Sequence, residues 1–220
     1  MGYNAVLFDL DGVVIDSNPE IIAFWKGVAA DYGVILQESD FIQYIYGCPA
    51  RETLSMLFSN LNSKELERVY AGLVTHEMNL KYREIPGATA FLRALRENGV
   101  PTALVTSGEL WKVREVFAQL GIAGLFTVLV TAEDIQNGKP NPECYRLAVE
   151  RLGLTPEKCL VFEDAVSGVR AAVDAGANCI GLQQPECAEL LLRAGALRVI
   201  PNFTVLNYQI SSEPLKLVME

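Results

Sequence analysis

Short apolar runs alternate with longer stretches of helical period along most of the chain. The runs are Ala5 to Phe8, Thr102 to Val105, Phe126 to Val130, Cys159 to Phe162, Cys179 to Leu182 and Arg198 to Ile200. Each has the length and continuous apolar character of a strand buried on both faces. Between them, Ala88 to Glu97, Trp111 to Leu120, Pro142 to Leu152 and Gly168 to Ala175 read as helices, with Gly99, Gly121, Gly153 and Gly176 where helix C-termini favour glycine. Strand and helix in alternation predict an α/β fold with a Rossmann-like, doubly wound parallel sheet.

One interval breaks this rhythm. From Ser17 to about Ile85 the apolar positions keep helical spacing only: Ile21, Ile22, Trp25, Val28 and Ala29, then Thr53, Leu54, Leu57 and Phe58, then Leu66, Val69, Tyr70 and Leu73. The expected organisation is an α/β core from residues 1–16 and 86–220 with a helical module, 17–85, inserted in it. Ile85-Pro86-Gly87 marks the far border, since proline disfavours a helical residue before it and glycine lets the chain turn. A hinge is expected there, with the Ser17 segment as its second strand. The segment after Pro201 is compatible with a short strand, a helix or a loosely held tail.

Composition narrows the functional classes. The 220 residues carry 18 Lys and Arg against 27 Asp and Glu, and half of the positions are apolar without any run of membrane-spanning length. Phosphate-backbone binding draws on clustered Lys and Arg, so a nucleic-acid partner is not expected, and neither is a membrane. The five cysteines, Cys48, Cys144, Cys159, Cys179 and Cys187, are odd in number and too far apart for a disulfide framework. With no secretory signal at the N-terminus, a reducing, cytoplasmic setting is expected.

Ligands of open parallel sheets sit beyond the carboxyl ends of the strands, so the residues after each apolar run matter most. Those residues are Asp9-Leu10-Asp11-Gly12, Thr106-Ser107-Gly108, Gly138-Lys139-Pro140 and Glu163-Asp164. Four carboxylates converging on one crevice repel one another, and either some stay protonated or a cation neutralises them. Oxygen ligands without His or Cys select a hard ion such as Mg²⁺, which also binds substrate phosphate. With Lys139 added, a small negative excess remains, which one protonated carboxyl removes; that is what a general acid would be.

These four motifs, in this order and spacing, resemble those of the haloacid dehalogenase superfamily of phosphotransferases, across nearly the whole chain. The helical module resembles the cap of the subgroup containing β-phosphoglucomutase and small sugar-phosphate phosphatases. The resemblance implies a Mg²⁺-dependent phosphatase of small phosphate esters, sugar or polyol phosphates foremost, working through an aspartyl-phosphate in a monomer or weak dimer. Asp9 would be the nucleophile and Asp11 the acid and base, with Thr106 and the amides of Ser107 and Gly108 binding the phosphoryl group and Lys139 offsetting charge. Asp9, Asp164 and the Asp11 carbonyl would bind the metal, with Glu163 a further ligand or a neighbour of one. The cap loop Tyr46 to Glu52 would read the leaving group through Gly47 and Arg51.

Competing readings exist for most of these residues. Asp-x-Asp-Gly alone is often a turn, Thr106-Ser107-Gly108 alone a helix cap, Lys139 alone a solvated lysine, and Arg51 a surface residue paired with a nearby Glu. His76, Cys48, Trp25 and Trp111 read more naturally as packing residues than as chemistry. At the level of function, a phosphomutase needs the same core. The His that such members carry four residues after the position of Ser17 is Ile21 here, and their Lys before the cap-loop glycine is Tyr46, which favours hydrolysis. A dehalogenase lacks the second acid and the metal. A non-catalytic binding module would have little reason to keep every motif residue.

Overall fold

The computed structural model describes residues 2–212 and 215–219. The chain opens with β1 (Gly2–Tyr3) and β2 (Ala5–Phe8), then leaves the sheet for α1 (Asn18–Asp31), α2 (Glu38–Asp40), α3 (Ala50–Leu57) and α4 (Ser63–Met78). It returns through α5 (Ala88–Glu97), β3 (Thr102–Val105), α6 (Leu110–Leu120), β4 (Val128–Val130), α7 (Glu143–Leu152) and β5 (Cys159–Glu163). The remainder is α8 (Val166–Asp174), β6 (Asn178–Leu182), α9 (Ala188–Arg193), β7 (Arg198–Ile200), β8 (Tyr208–Ser212) and β9 (Leu215–Met219). Among the described residues, six strands form a parallel sheet in the order β4-β3-β2-β5-β6-β7.

Alternation along β2 explains the layers. Val6 and Phe8 point to one face, where α5 and α6 bring Phe91, Leu92, Leu95, Val113 and Val116, while Ala5 and Leu7 point to the other, under α7 and α8. A sheet covered on both faces needs apolar residues at every strand position, so its strands stand out in sequence. The Phe8 ring is the centre of the first layer: it stacks on Phe162 at 5.5 Å and meets Phe91 at 6.0 Å and Phe203 at 5.9 Å between ring centroids.

Helices α1, α3 and α4 gather around their own apolar cluster of Trp25, Val28, Phe41, Leu54, Phe58, Val69 and Leu73, so the insertion has a core separate from the sheet. Between α2 and α3 the chain makes a π-helical turn, Phe41–Ile45. The two passages between insertion and sheet run side by side. The Asp16 amide donates to the Arg83 carbonyl at 2.8 Å, and the Ile85 amide donates to that of Val14 at 3.0 Å.

The segment after Pro201 resolves into a short turn followed by β8 and β9. These form an antiparallel sheet with the N-terminal β1, in the order β1-β9-β8. Phe203 is its anchor, buried against Phe8, Phe91 and Phe162. Replacing a buried aromatic by Ala removes its contacts and leaves a cavity, so Phe8→Ala should lower unfolding stability by about 3–5 kcal/mol in urea titration. A loss below about 1 kcal/mol would show that the ring cluster is not the centre of this layer.

Candidate active site

The strand order explains why the polar strand ends meet. The chain passes from β2 to β3 and β4 on one side, then to β5, β6 and β7 on the other, so the carboxyl end of β2 lies where the winding direction reverses. Asp9 follows β2 directly, Thr106 follows β3, Glu163 ends β5 and Asp164 comes next. Lys139 arrives from the loop between β4 and α7. All five side chains are buried.

Lys139 ties the ends together. Its Nζ donates to Asp9 Oδ1 and to Glu163 Oε1, both at 2.6 Å, and to the Val105 carbonyl at 3.1 Å. Burial pulls the Lys139 ammonium down, but Asp9 and then Glu163 outweigh burial and hold it above its ordinary value, as a cation. Glu163 also accepts from the Tyr145 hydroxyl at 2.6 Å and from the Asp164 amide at 3.2 Å, so its carboxylate is fixed by internal donors. Lys139 is thus not the solvated lysine of the competing reading.

One oxygen each of Asp9, Glu163 and Asp164 lie within 4.8 Å of one another. Asp164 accepts from Asn18 Nδ2 at 2.7 Å, yet burial, followed by Asp9 and Glu163, pushes it well above the ordinary carboxylate range. Asp9 and Glu163 share one buried lysine and Asp164 has a neutral amide donor, so the three acids are short of positive charge, and the ligand atoms they offer are all oxygen. A hard divalent cation fits this set. Gly12 makes room for the Asp164 carboxylate: the residue sits at φ 73° in the left-handed region, and a Cβ there would run into that side chain.

Asp11 belongs to a different network. Ser17 Oγ donates to its Oδ1 at 2.5 Å, and Lys112 Nζ lies 2.8 Å from Oδ1 and 3.0 Å from Oδ2. Lys112, on α6, also donates to Glu77 Oε1 of α4 at 2.7 Å. Burial lowers the proton affinity of Lys112, but Asp11 and Glu77 more than offset it. The Thr106 side chain accepts from the Gly108 amide at 2.9 Å, while Ser107 Oγ donates to the Gly47 carbonyl at 2.7 Å.

The loop before α3 closes the site from above. Ser167 Oγ donates to the Tyr46 carbonyl at 3.0 Å, and Gly47 has φ 70° with its missing Cβ pointing at Ser167 Oγ, 2.8 Å away. A cavity of about 350 Å³ remains between this loop and the strand ends, reached by Asp9, Asp11, Thr106 and Asp164 from below and by Ile21 and Trp25 from above. Arg51 borders the cavity but pairs with Glu67 at 2.9 Å and lies over the Tyr70 ring, so the surface-pair reading describes it in this state. Tyr70 in turn donates to Glu109, which also accepts from Trp111 Nε1 at 2.8 Å.

Trp25 is buried in the insertion core as expected, whereas Trp111 is half-buried and borders the cavity. His76 packs beside Phe24, with Glu20 at 3.8 Å. Cys48 also borders the cavity, but burial pushes its thiol up to about 11, away from nucleophilic chemistry. None of the five cysteines is in a disulfide. Sequence reading missed Lys112, Glu77, Tyr145 and Asn18. A signal existed for two: Lys112 shares a helix face with Val113, Val116 and Phe117, and Glu77 continues the stripe of Val69 and Leu73. A charge on an apolar stripe needs a buried partner.

A parallel sheet with acids at its winding reversal, beneath a helical insertion, is an arrangement suited to a hydrolase of phosphate esters. Residues 6–182 match the haloacid dehalogenase-like hydrolases, and the chain belongs to that family. It is 34% identical over 209 residues to the phosphorylated carbohydrates phosphatase of Thermotoga maritima, covering 92% of this chain and 96% of that one. It is 35% identical over 183 residues to hexitol phosphatase A of Escherichia coli, covering 81% and 82%. Among solved structures, a hydrolase from Pseudomonas syringae is similar at a TM-score of 0.78 with 26% identity, over 90% of this chain and 94% of that one. The chain is a phosphoric monoester hydrolase of this type. Among the described residues no helix is long and apolar enough to cross a membrane.

The metal reading predicts a binding signal independent of turnover. Mg²⁺ at about a hundred times its Kd should raise the unfolding midpoint by about 5–10 °C, and by far less in Asp164→Ala. Equal shifts in both proteins, read by differential scanning fluorimetry, would place the ion elsewhere.

Proposed function

We propose that the chain is a Mg²⁺-dependent phosphatase of small sugar or polyol phosphates, with a core of residues 1–16 and 86–220 and a cap of residues 17–85. The observation that carries this reading is the position of Asp9, buried on the cavity floor with its carboxylate held by Lys139 and flanked by Asp164.

In the proposed first step an Asp9 oxygen attacks phosphorus, and the bond to the leaving oxygen breaks. That oxygen takes the proton of the Asp11 carboxyl and departs as an alcohol. In the second step Asp11 accepts a proton from water as the water oxygen attacks phosphorus, and the Asp9–phosphorus bond breaks to release phosphate. Asp9, Asp164 and the Asp11 carbonyl would hold Mg²⁺, with Glu163 beside them. When bound, the ion supplies charge neutralisation and polarises a phosphoryl oxygen. Thr106 and the Ser107 and Gly108 amides, once the latter leaves Thr106, would donate to the phosphoryl oxygens as charge moves onto them, and Lys139 would balance that charge.

The cavity's upper wall supports an uncharged leaving group. Ile21, Trp25 and Trp111 offer apolar surface, while Glu52, Glu77, Glu109 and Glu133 outnumber Arg51 and Lys112. Such a wall disfavours a second phosphate, and with Ile21 and Tyr46 at the mutase-specific places it supports hydrolysis over phosphoryl transfer between sugar hydroxyls. With the cap seated on the core, Gly47 would touch the leaving group and Arg51 would reach it on leaving Glu67, and side-by-side passages at Asp16 and Ile85 suit a hinge. Free thiols agree with a cytoplasmic setting. A monomer or weak dimer suffices, since one chain brings every residue named here to the site.

EDTA should reduce hydrolysis of a hexitol phosphate to background, and added Mg²⁺ should restore it. Asp9→Asn should fall to background on every substrate, whereas Asp11→Asn should lose about 10²- to 10⁴-fold. Activity at the wild-type level in metal-free buffer or in Asp9→Asn would overturn the proposal.

A further inference from the structure

We propose that Lys112 is a positioning residue for the Asp11 carboxyl, and that Glu77 makes this positioning depend on the helical insertion being seated on the core. The inference rests on the reading of Asp11 as proton donor to the leaving group.

The geometry is specific. Asp11 lies three residues beyond β2, just before a turn, and its carboxylate is held by two side chains, Ser17 and Lys112. Lys112 comes from α6, the helix that follows the Thr106 strand end, so it belongs to the core. Its other partner, Glu77, belongs to the last turns of α4 in the insertion. Both are more than nine-tenths buried, at 4% and 8% exposure, and both border the cavity. One ammonium therefore joins a core carboxylate of the reaction to a carboxylate of the insertion.

Stability does not explain this arrangement. A buried ion pair adds little over apolar side chains of similar size, because desolvation offsets the attraction. Val113, Val116 and Phe117 beside Lys112, and Leu73 before Glu77, show that these faces accept apolar residues. What an apolar pair could not do is hold both oxygens of Asp11. A fixed donor matters there because a proton must reach the leaving oxygen as the phosphorus bond breaks, and small displacements of a reacting group are costly. If the insertion lifts, Glu77 leaves with it, and Lys112 keeps Asp11 as its remaining anionic partner among those described here.

Leaving-group chemistry distinguishes positioning from structure. A nitrophenolate departs without a proton, whereas an alkoxide needs one, and kcat/KM reports the step in which Asp9 is phosphorylated. Lys112→Met should lower kcat/KM for a hexitol phosphate at least about 10-fold more than for p-nitrophenyl phosphate, within the span that acid catalysis supplies. Glu77→Gln should shift the same ratio in the same direction by less. The double variant Glu77→Leu with Lys112→Met leaves neither charge unpaired and should show the full loss of ratio even if the single variant folds poorly. Asp11→Asn on the same two substrates separates the two ideas. If it changes the ratio while folded Lys112→Met and the double variant do not, Lys112 has no positioning role. If Asp11→Asn itself leaves the ratio unchanged, Asp11 is not the proton donor and both readings fall. With the Asp11→Asn change already present, Lys112→Met should alter the ratio no further; an additional loss would overturn the proposal.

Discussion

Carboxylates crowded at one buried edge of a sheet must be neutralised, and most of this structure can be read as the means of doing so. Asp9, Glu163 and Asp164 end adjacent parallel strands with almost no access to water. Lys139 answers part of the repulsion with bonds of 2.6 Å to two of them, and the Tyr145 hydroxyl donates to the same Glu163 oxygen. Backbone turns serve the same end. Gly12 lets the chain bend past Asp164 where any side chain would collide with its carboxylate. What remains is a negative, oxygen-lined gap open to the cavity, which is the physical reason for expecting a divalent cation.

Much of this was legible because it depends on local pattern. Strands buried on both faces leave unbroken apolar runs, so Ala5–Phe8 and Thr102–Val105 match the expected limits, and Cys159 is the expected start of β5. Helix ends with glycine were equally readable. Where the reading missed, long-range contact decided the outcome. Phe126 extends the apolar run before β4, yet it lies outside the strand and packs its ring on Phe117 at 5.5 Å and Phe8 at 6.2 Å. The pairing of β1 with β9 joins the two ends of the chain, and two residues of β1 carry no pattern of their own. The C-terminal segment stayed ambiguous because its partner is so distant in sequence.

The site divides along the same line. Residues placed directly after strands were found by position, because the ends of a parallel sheet must converge. Lys112 and Glu77 were missed because each sits within an amphipathic helix, where a single charge on an apolar stripe passes as an irregularity. Their meeting depends on how the insertion lies on the core, which no local pattern encodes. Beside the hydroxyl bonds of Ser107 to Gly47 and Ser167 to Tyr46, two contacts of charged groups hold that seating: Lys112 with Glu77, and Glu109 with Tyr70. Both involve acids at the cavity wall, so the contacts that seat the insertion also set the electrostatics seen by the leaving group.

The central claim is that Asp9 carries the phosphoryl group, and direct chemical trapping tests it. Enzyme quenched during turnover of p-nitrophenyl phosphate can be treated with borohydride, which reduces an acyl phosphate to the alcohol and converts the phosphorylated aspartate to homoserine. Peptide mass spectrometry should then find homoserine at position 9 and aspartate at position 11, dependent on substrate and on Mg²⁺. Unmodified Asp9 under conditions where turnover is sustained, or homoserine at position 11 instead, would contradict the account.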